Sequence, residues 1–319
     1  MNNDQNIYTL ENKKLLNLAL LLILALSLIV LVSLYISKGI RTDSPATFVD
    51  AQTDPFKDTS LIARAAIVYD IANGKVIYSK NPNDILPIAS ITKLLTAVTA
   101  VELLPKSTVV TVKKEFLAEE GDSGLRTDQN WDLADLIDYS LMVSSNDGAA
   151  AIAGAAGAFR TQTDPSNISR KEFISDMNTE AKKIGMNSSN FYNETGLDVS
   201  KEQSGGYSTA QDLATLFAYI LKEHPEIFSA TKYPNLSFTA LDDLRYNAQN
   251  TDIIIDNIPA VLGSKTGYTD LAGGNLGIVF NPGLQRPMAI IVLGSTYDGR
   301  FSDVESLVSK TLQYVGQGN

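Results

Sequence analysis

The sequence predicts an α+β protein: an antiparallel sheet built from both ends of one domain, flanked by helices, with an inserted helical lobe and an N-terminal transmembrane helix. Strand-like runs stand near residue 65 and again beyond residue 260, whereas the stretch between them is dominated by helical patterns. An uncharged apolar run, residues 15–37, precedes the first strand and is long enough to cross a bilayer as a helix.

The N-terminal region divides by composition into segments with different expected roles. We expect a short cytoplasmic head at 1–14, a membrane anchor at 15–37, a polar linker at 38–59 and a folded body at 60–319 that lies outside the cytoplasm. A buried helix and a cleaved signal peptide are the alternative interpretations of the apolar run.

The composition excludes several kinds of chemistry. The 319 residues include no cysteine and one histidine, His224, so disulfides, cysteine nucleophiles, Cys-rich zinc sites and an HExxH motif are excluded. We expect His224 to cap or follow a surface helix. Residues 1–41 carry a net charge of +2, which leaves −12 on residues 42–319. An acidic body argues against nucleic acid as a partner.

The elements of the body follow from local patterns. Predicted strands are 65–70, 75–78, 109–112, 261–266, 275–280 and 288–293. One predicted helix opens at Ser90, and five more cover 132–142, 146–158, 173–184, 208–220 and 303–314. Asn73-Gly74 predicts a hairpin between the first two strands. Asp132 is a candidate N-cap, Ser208 and Gln211 form a candidate capping box, and Gly185 ends a helix.

The first motif is a Ser-x-x-Lys pair at the head of an apolar helix. Ser90 and Lys93 are three residues apart and therefore share one helical face. A hydroxyl near a helix N-terminus with an amine above it is the minimum for an activated nucleophile that needs no histidine. The same spacing recurs in Ser229 and Lys232, but Pro234 follows and stops a helix there, so we expect a surface loop.

The second motif is Ser144-Ser145-Asn146, at the junction of two predicted apolar helices. Its alternative interpretation is helix termination and capping. At an interior junction, however, hydroxyl and amide groups need hydrogen-bonding partners, which a substrate backbone and the Ser90/Lys93 network would supply. Ser144 is preferred over Ser145 because it keeps the Ser-x-Asn spacing.

The third motif, Lys265-Thr266-Gly267, ends an apolar strand. Lys265 and Thr266 offer a cation and a hydroxyl donor to a carboxylate. Gly267 has no side chain, so another backbone can approach and pair with the strand. The alternative is an exposed strand-to-turn segment, which Gly267 also suits.

In this order, the three motifs resemble the signature of the penicillin-recognising serine enzymes, and most closely the D-alanyl-D-alanine carboxypeptidases, the low-molecular-weight penicillin-binding proteins. The resemblance extends from Ala65 to Tyr314 and includes the phrases at 193–198 and 207–210. It implies a β-lactamase/transpeptidase-like fold, peptidoglycan stem peptides as substrates and β-lactam antibiotics as covalent inhibitors. It implies no metal or organic cofactor.

The resemblance also implies residue roles. Ser90 would attack the D-Ala-D-Ala peptide bond, Lys93 would take its proton, and Ser144 would relay a proton to the leaving amine. A neutral Lys93 requires a lowered pKa, through burial and a nearby cation such as Lys265.

The remaining implied roles concern substrate binding. Asn146 would hold the substrate amide, Lys265 and Thr266 would bind its terminal carboxylate, and Gly267 would admit its backbone. The N–H groups of Ser90 and Tyr268 would form the oxyanion hole.

Other functions stay open on the sequence. A D,D-endopeptidase would use the same residues on a cross-linked substrate. A class A β-lactamase would also need a glutamate on a loop between the second and third motifs, which residues 161–167 lack, and Glu172 is predicted to be helical. A membrane-tethered peptidoglycan-binding module without catalysis, and an anchored α/β domain with chance motifs, are the remaining alternatives.

Overall fold

The computed structural model describes residues 4–39, 54–121, 123–283 and 285–318. Residues 1–3 of the predicted head and 40–53 of the predicted linker lie outside the described residues. The chain divides into two units, Met1–Thr53 and Asp54–Asn319.

The first unit contains one long helix, α1 (Asp4–Gly39), which extends beyond both ends of the predicted anchor. Its segment Leu16–Tyr35 has a mean hydropathy of 2.9, and none of this segment is buried within the protein. Among the described residues this is the one helix long and apolar enough to cross a membrane.

The second unit combines helices and strands. Its helices are α2 (Thr92–Leu103), α3 (Leu133–Met142), α4 (Asn146–Thr161), α5 (Asn167–Ile184), α6 (Ala210–Glu223) and α7 (Gly299–Gly316). Its strands are β1 (Ala65–Asp70), β2 (Lys75–Lys80), β3 (Leu86–Pro87), β4 (Val109–Val112), β5 (Gln129–Asp132), β6 (Asn190–Phe191), β7 (Gly206–Ser208), β8 (Asn235–Thr239), β9 (Arg245–Gln249), β10 (Val261–Thr269), β11 (Gly273–Phe280) and β12 (Met288–Ser295).

The central sheet has the strand order β10-β11-β12-β1-β2, and all its neighbours are antiparallel. The first strand of the unit therefore pairs with the last, with Ile67 opposite Ile291. The predicted hairpin of β1 and β2 is confirmed, and Gly74 in its turn has a positive φ of 64°. The predicted α+β class, with a sheet built from both ends of the domain, is confirmed.

Alternation along β1 distributes side chains between two cores. Ala66 and Val68 point into a cluster that also contains Val304 of α7. Ala65 and Ile67 point into the larger cluster, which includes α6 and the helices that follow the Ser90 segment. Both faces of β1 are thus covered, which explains its nearly uninterrupted apolar sequence.

The helical lobe is centred on the alanine-rich helix α4. A Cβ on Gly154 would come within 2.4 Å of the Phe116 ring, and one on Gly157 within 1.9 Å of the Ser169 carbonyl oxygen. Both positions require a residue without a side chain: Gly154 makes room for the Phe116 ring, and Gly157 lets α5 pack directly on α4. Helix α2 packs against both of them and so holds the Ser90 segment between the lobe and the sheet.

Three predicted helix starts differ from the structure. Helix α5 begins at Asn167 rather than at 173, because Ser166 and Ser169 form a capping box ahead of a polar first turn. Helix α6 is capped by Thr209, whose hydroxyl accepts from the Asp212 N–H, so the predicted Ser208–Gln211 box is wrong. Helix α7 begins at Gly299, four residues before its predicted start.

Two further predictions need correction. Asp132 occupies the N-cap position of α3, but its side chain makes no capping hydrogen bond there. The segment of Ser229 and Lys232 is not helical, as expected, but it is not a surface loop, because Ala230 and Thr231 are buried. The Ser229 hydroxyl donates to the Asp138 carboxylate rather than meeting Lys232.

The folded unit includes the last part of the predicted linker. Phe56 is 6% exposed and stacks on Tyr78 with ring centroids 5.2 Å apart. The Lys310 ammonium donates to the Pro55 carbonyl oxygen at 2.8 Å. Residues 54–59 are therefore part of the packed body, and the predicted boundary at 59/60 lies inside it.

Candidate active site

Ser90 lies in a short 3₁₀ turn, Ala89–Ile91, that leads directly into α2. Ile88 and Ile91, on either side of Ser90, are fully buried and anchor the turn. Ala89 has a φ of 48°, a strained conformation for a residue with a side chain. The next turn brings Lys93 above Ser90, and the Lys93 Nζ atom donates to the Ser90 Oγ atom at 2.9 Å.

Lys93 is 2% exposed and has two further acceptors. Its Nζ atom donates to the Asn146 Oδ1 atom at 2.6 Å and to the Thr195 carbonyl oxygen at 2.7 Å. Burial lowers the pKa of Lys93 to about 7, although the carboxylates of Glu194 and Glu119 act to raise it. The amine next to Ser90 is therefore neutral in a large fraction of molecules near neutral pH.

The Ser144-Ser145-Asn146 segment joins α3 to α4. Ser144 has a φ of 58°, and its hydroxyl accepts from the Lys265 Nζ atom at 2.9 Å. The Ser145 hydroxyl instead caps α4 by accepting from the Gly148 N–H at 2.9 Å. The Asn146 Nδ2 group donates to the Glu120 carbonyl oxygen at 2.6 Å, which turns its oxygen towards Lys93. The capping interpretation thus applies to Ser145 and leaves Ser144 for the site.

Lys265 and Thr266 lie in β10, which forms one edge of the central sheet. Both side chains are buried, and the Thr266 hydroxyl lies 2.6 Å from the Thr251 hydroxyl. Burial lowers the pKa of Lys265 well below its ordinary value, and the cations of Lys93 and Arg300 add to the effect. The two lysines repel each other, so the site favours one ammonium over two.

Gly267 brings β10 against the Ser90 turn. A Cβ at this position would come within 2.7 Å of the Ile88 carbonyl oxygen and 3.1 Å of the Ser90 nitrogen. The Gly267 carbonyl oxygen accepts from the Arg300 Nη1 group at 2.9 Å. Tyr268 follows with an exposed side chain that packs edge-on against Tyr297. Every predicted site residue therefore lies at this junction of sheet and lobe.

An open cleft of about 500 Å³ lies next to this junction. It is lined by residues 268–271 at the end of β10 and just beyond it, by Leu197, Asp198, Ser200 and Lys201, and by Glu120. The cleft borders the site at Tyr268, which follows Gly267, and at Glu120, whose carbonyl oxygen accepts from Asn146. It provides room for a ligand longer than the group that reacts.

The sequence assigned no role to several residues that shape the site, although Thr195 lies in the phrase at 193–198. Thr195 supplies a carbonyl oxygen to Lys93, and Arg300 holds the Gly267 carbonyl oxygen. In the sequence, the glycine at 196 is the one local indication of a constrained position there. The structure gives the reason: its φ is 80°, and a Cβ would come within 1.9 Å of the Ala89 carbonyl oxygen. The contacts of Thr195 and Arg300 join segments distant in the chain, and no local pattern announces them.

The described residues contain no group of three or more His, Cys, Asp or Glu side chains that could hold a metal ion. His224 ends α6, as expected, and its Nε2 atom lies 2.9 Å from a Glu102 carboxylate oxygen.

Comparisons with known proteins match this chain over most of its length. The model of the D-alanyl-D-alanine carboxypeptidase family matches residues 50–296. The carboxypeptidase DacF of Bacillus subtilis is 29% identical over 88% of this chain and 69% of its own length. The D-alanyl-D-alanine endopeptidase of Escherichia coli is 31% identical over 72% of this chain and 70% of its own length.

A solved structure shows the same likeness in three dimensions. Penicillin-binding protein D2 of Listeria monocytogenes, in its ampicillin-bound form, is 28% identical and superimposes with a TM-score of 0.66. The match covers 79% of this chain and 98% of the Listeria chain.

Proposed function

Because this chain belongs to the D-alanyl-D-alanine carboxypeptidase family, it is a serine-type D-alanyl-D-alanine carboxypeptidase, and we propose that it trims peptidoglycan stem peptides through an acyl-enzyme on Ser90. The observation that carries the proposal is the buried Lys93 amine, 2.9 Å from the Ser90 hydroxyl. A lysine with a pKa of about 7 can act as a general base near neutral pH.

In the proposed acylation step, the Ser90 Oγ atom attacks the carbonyl carbon between the two D-alanines. Its proton passes to the Lys93 Nζ atom, and the N–H groups of Ser90 and Tyr268 stabilise the oxyanion. As the C–N bond breaks, the proton that Lys93 took from Ser90 passes through the Ser144 hydroxyl to the leaving amine, so Lys93 is neutral again. In the second step, Lys93 takes a proton from a water molecule as its oxygen attacks the acyl carbon. The bond to the Ser90 Oγ atom then breaks, Lys93 returns the proton to this oxygen, and the shortened peptide leaves.

The terminal carboxylate of the substrate is proposed to bind Lys265 and Thr266. A carboxylate beside Lys265 stabilises the ammonium form of that lysine. Since Lys265 and Lys93 repel each other, a substrate that holds the charge on Lys265 favours the neutral, basic form of Lys93. Substrate binding would thus prepare the base for proton transfer.

The backbone of the stem peptide is proposed to pair with β10. This strand is at the edge of its sheet, and the Gly267 position lies against the Ser90 turn. An extended peptide added there would present its scissile carbonyl to Ser90, with Asn146 holding its amide. The rest of the stem would occupy the cleft of about 500 Å³ beyond Tyr268.

The test uses residues 54–319 and a fluorescent penicillin, followed by intact-mass spectrometry. We expect one adduct, on Ser90, that hydrolyses slowly, and none on Ser90→Ala. Rapid turnover of the drug would instead indicate a β-lactamase. Stoichiometric peptide binding without any adduct would indicate a non-catalytic binding module.

A D,D-endopeptidase is a second candidate, because a relative with that name is 31% identical to this chain. The same residues would cut a cross-link between two stems instead of a terminal bond. Linear pentapeptides and cross-linked muropeptides, offered at equal concentration, separate the two activities by their rates of cleavage.

The proposed location is the cell membrane, with α1 as a single-pass anchor and the catalytic unit outside the cytoplasm. The length and hydropathy of Leu16–Tyr35 support it. Protease added to cells whose cytoplasmic membrane is intact but whose outer layers have been removed should digest the catalytic unit. Cell fractionation should place the full chain with the membranes. Release of the full-length chain into the soluble fraction would contradict the anchor.

A further inference from the structure

Behind the site, Arg170 joins two carboxylates from separate segments. From the first turn of α5, its Nε atom donates to the Glu194 Oε1 atom at 2.9 Å, and its Nη2 atom donates to the Glu119 Oε1 atom at 2.7 Å. The Glu194 side chain is 1% exposed, Arg170 15% and Glu119 21%. The mechanism described above uses none of these three groups.

Each carboxylate precedes a residue whose carbonyl oxygen contacts either Lys93 or its partner Asn146. Glu194 is followed by Thr195, whose carbonyl oxygen accepts from the Lys93 Nζ atom. The Glu194 carbonyl oxygen itself accepts from the Thr96 hydroxyl of α2 at 2.7 Å. The segment is therefore fixed to α2 through its backbone and to α5 through its side chain.

The second carboxylate acts through Asn146. Glu119 is followed by Glu120, whose carbonyl oxygen accepts from the Asn146 Nδ2 group. That bond leaves the Asn146 Oδ1 atom to accept from Lys93. Both acceptors of Lys93 other than Ser90 are thus connected to Arg170 through one carboxylate each.

We propose that Arg170, Glu194 and Glu119 form a positioning unit that holds the Lys93 amine on Ser90 and sets its readiness to accept a proton. The proposal rests on the proposed role of Lys93 as the base. None of the three residues reaches the reacting atoms; they act through Thr195, Asn146 and the electric field at Lys93.

The charges around Lys93 support this unit. The carboxylates of Glu194 and Glu119 raise the pKa of Lys93, in opposition to burial. Arg170 on α5 and Lys265 on β10 contribute positive charge, and Asp147 is buried in the first turn of α4. Removing one of the two carboxylates should therefore lower the pKa of Lys93.

A buried ion pair can also serve folding alone, so the test needs a readout that folding would not move. We would measure the acylation rate constant of residues 54–319 with a fluorescent penicillin from pH 5 to 9, where the drug carboxylate stays ionised. Because neutral Lys93 is required, the wild-type rate rises with pH. For Glu194→Gln we expect this rise to move to lower pH by about 1 unit, with a plateau about tenfold lower.

The matched variants separate the proposal from a general defect. Glu119→Gln, at a more exposed carboxylate that folding tolerates more readily, should shift the profile in the same direction by a smaller amount. Glu180→Gln, a mostly buried glutamate paired with Lys183, should leave it in place. Arg170→Gln should slow acylation, whereas Arg160→Gln, which loses only a pair with Asp176, should not.

Unshifted profiles for folded Glu194→Gln and Glu119→Gln would overturn the positioning unit. Equal shifts in Glu180→Gln would do the same. In both cases, labelling of the wild type on Ser90 would leave the proposed function intact, whereas absence of that labelling would reject the proposed function first.

Discussion

The Lys265 Nζ atom donates a hydrogen bond of 2.9 Å to the Ser144 hydroxyl, although 121 residues separate them in the chain. Lys265 belongs to the sheet, and Ser144 belongs to the junction between α3 and α4. The positive φ of Ser144, 58°, is the conformation that places this junction within reach. The bond connects the proposed carboxylate site to the proposed proton relay.

Ser144→Ala should lower kcat/KM for a D-Ala-D-Ala peptide by about 100-fold, since it removes the relay and leaves Lys265 without one of its acceptors. Release of D-alanine from a linear pentapeptide measures the effect. Ser145→Ala is the control: loss of the α4 cap should cost about 1 kcal/mol of stability, while most activity remains. Equal losses of activity in the two variants would contradict the assignment of the relay to Ser144.

Acylation by penicillin should depend on pH through Lys93. Only the neutral amine accepts the Ser90 proton, so the rate should rise with pH and reach half of its plateau near the Lys93 pKa of about 7. Stopped-flow labelling between pH 5 and 9 gives the profile. A rate that stays constant across this range would exclude Lys93 as the base.

The same pKa predicts a pH-dependent stability. Unfolded Lys93 has a pKa near 10.5 and native Lys93 one of about 7, so between these values the unfolded chain binds the additional proton. The native state therefore gains stability as pH rises through this window and loses it as pH falls to about 7. Relative to Lys93→Met, the wild type should gain up to about 1.4 kcal/mol per pH unit.

Urea unfolding of both proteins at pH 7.5, 8.5 and 9.5 checks this difference. Using the difference removes the contribution of groups that titrate alike in the two proteins. A difference between the two free energies of unfolding that does not change with pH would show that the pKa of Lys93 is not lowered in the native state.

Gly267→Ala should slow acylation by about 100-fold, because the new Cβ would lie 2.7 Å from the Ile88 carbonyl oxygen and would separate β10 from the Ser90 turn. Rate constants for penicillin labelling measure the loss, and a melting curve confirms folding. Gly316→Ala is the control, since nothing lies within 4 Å of a Cβ at that position near the end of α7. A labelling rate equal to that of the control would refute the close approach.

Removing residues 54–59 should destabilise the body. Phe56 is packed against Tyr78, and Pro55 accepts a hydrogen bond from Lys310. Loss of a buried phenylalanine typically costs about 3 kcal/mol or more. Chemical unfolding of residues 54–319 and 60–319 should show this difference in midpoint, and identical midpoints would restore the boundary at residue 60.

Regular local patterns in the sequence predicted most of the fold. Local sequence alone predicted the β1–β2 hairpin from Asn73-Gly74 and the strands β10 to β12 from their apolar runs. It also predicted helix α2 from its apolar stripe. Strands at both ends of the body then predicted one shared sheet, whereas the specific pairing of β1 with β12 came from the structure. Strand β5 was harder, because its four residues include three polar ones. The hairpin of β8 and β9 was missed although both strands alternate polar and apolar residues, since each is only five residues long and mostly exposed.

The sequence predicted only some of the contacts in the candidate site. Ser90 and Lys93 are one helical turn apart, so their contact follows from spacing alone. The meeting of Lys93 with Thr195, 102 residues later, depends on a loop that has no periodicity. Capping choices such as Thr209 over Ser208 depend on differences of a few tenths of a kcal/mol, which tertiary packing decides.

The two edges of the central sheet are not equivalent. The outer strand β2 exposes Lys75 and partly exposes Lys80, and lysines on an edge strand discourage pairing with another chain. The opposite edge, β10, lies against the Ser90 turn, so a single extended peptide fits beside it more readily than a second sheet. The protein can thus leave an edge strand available to its substrate with little risk of aggregation through that strand.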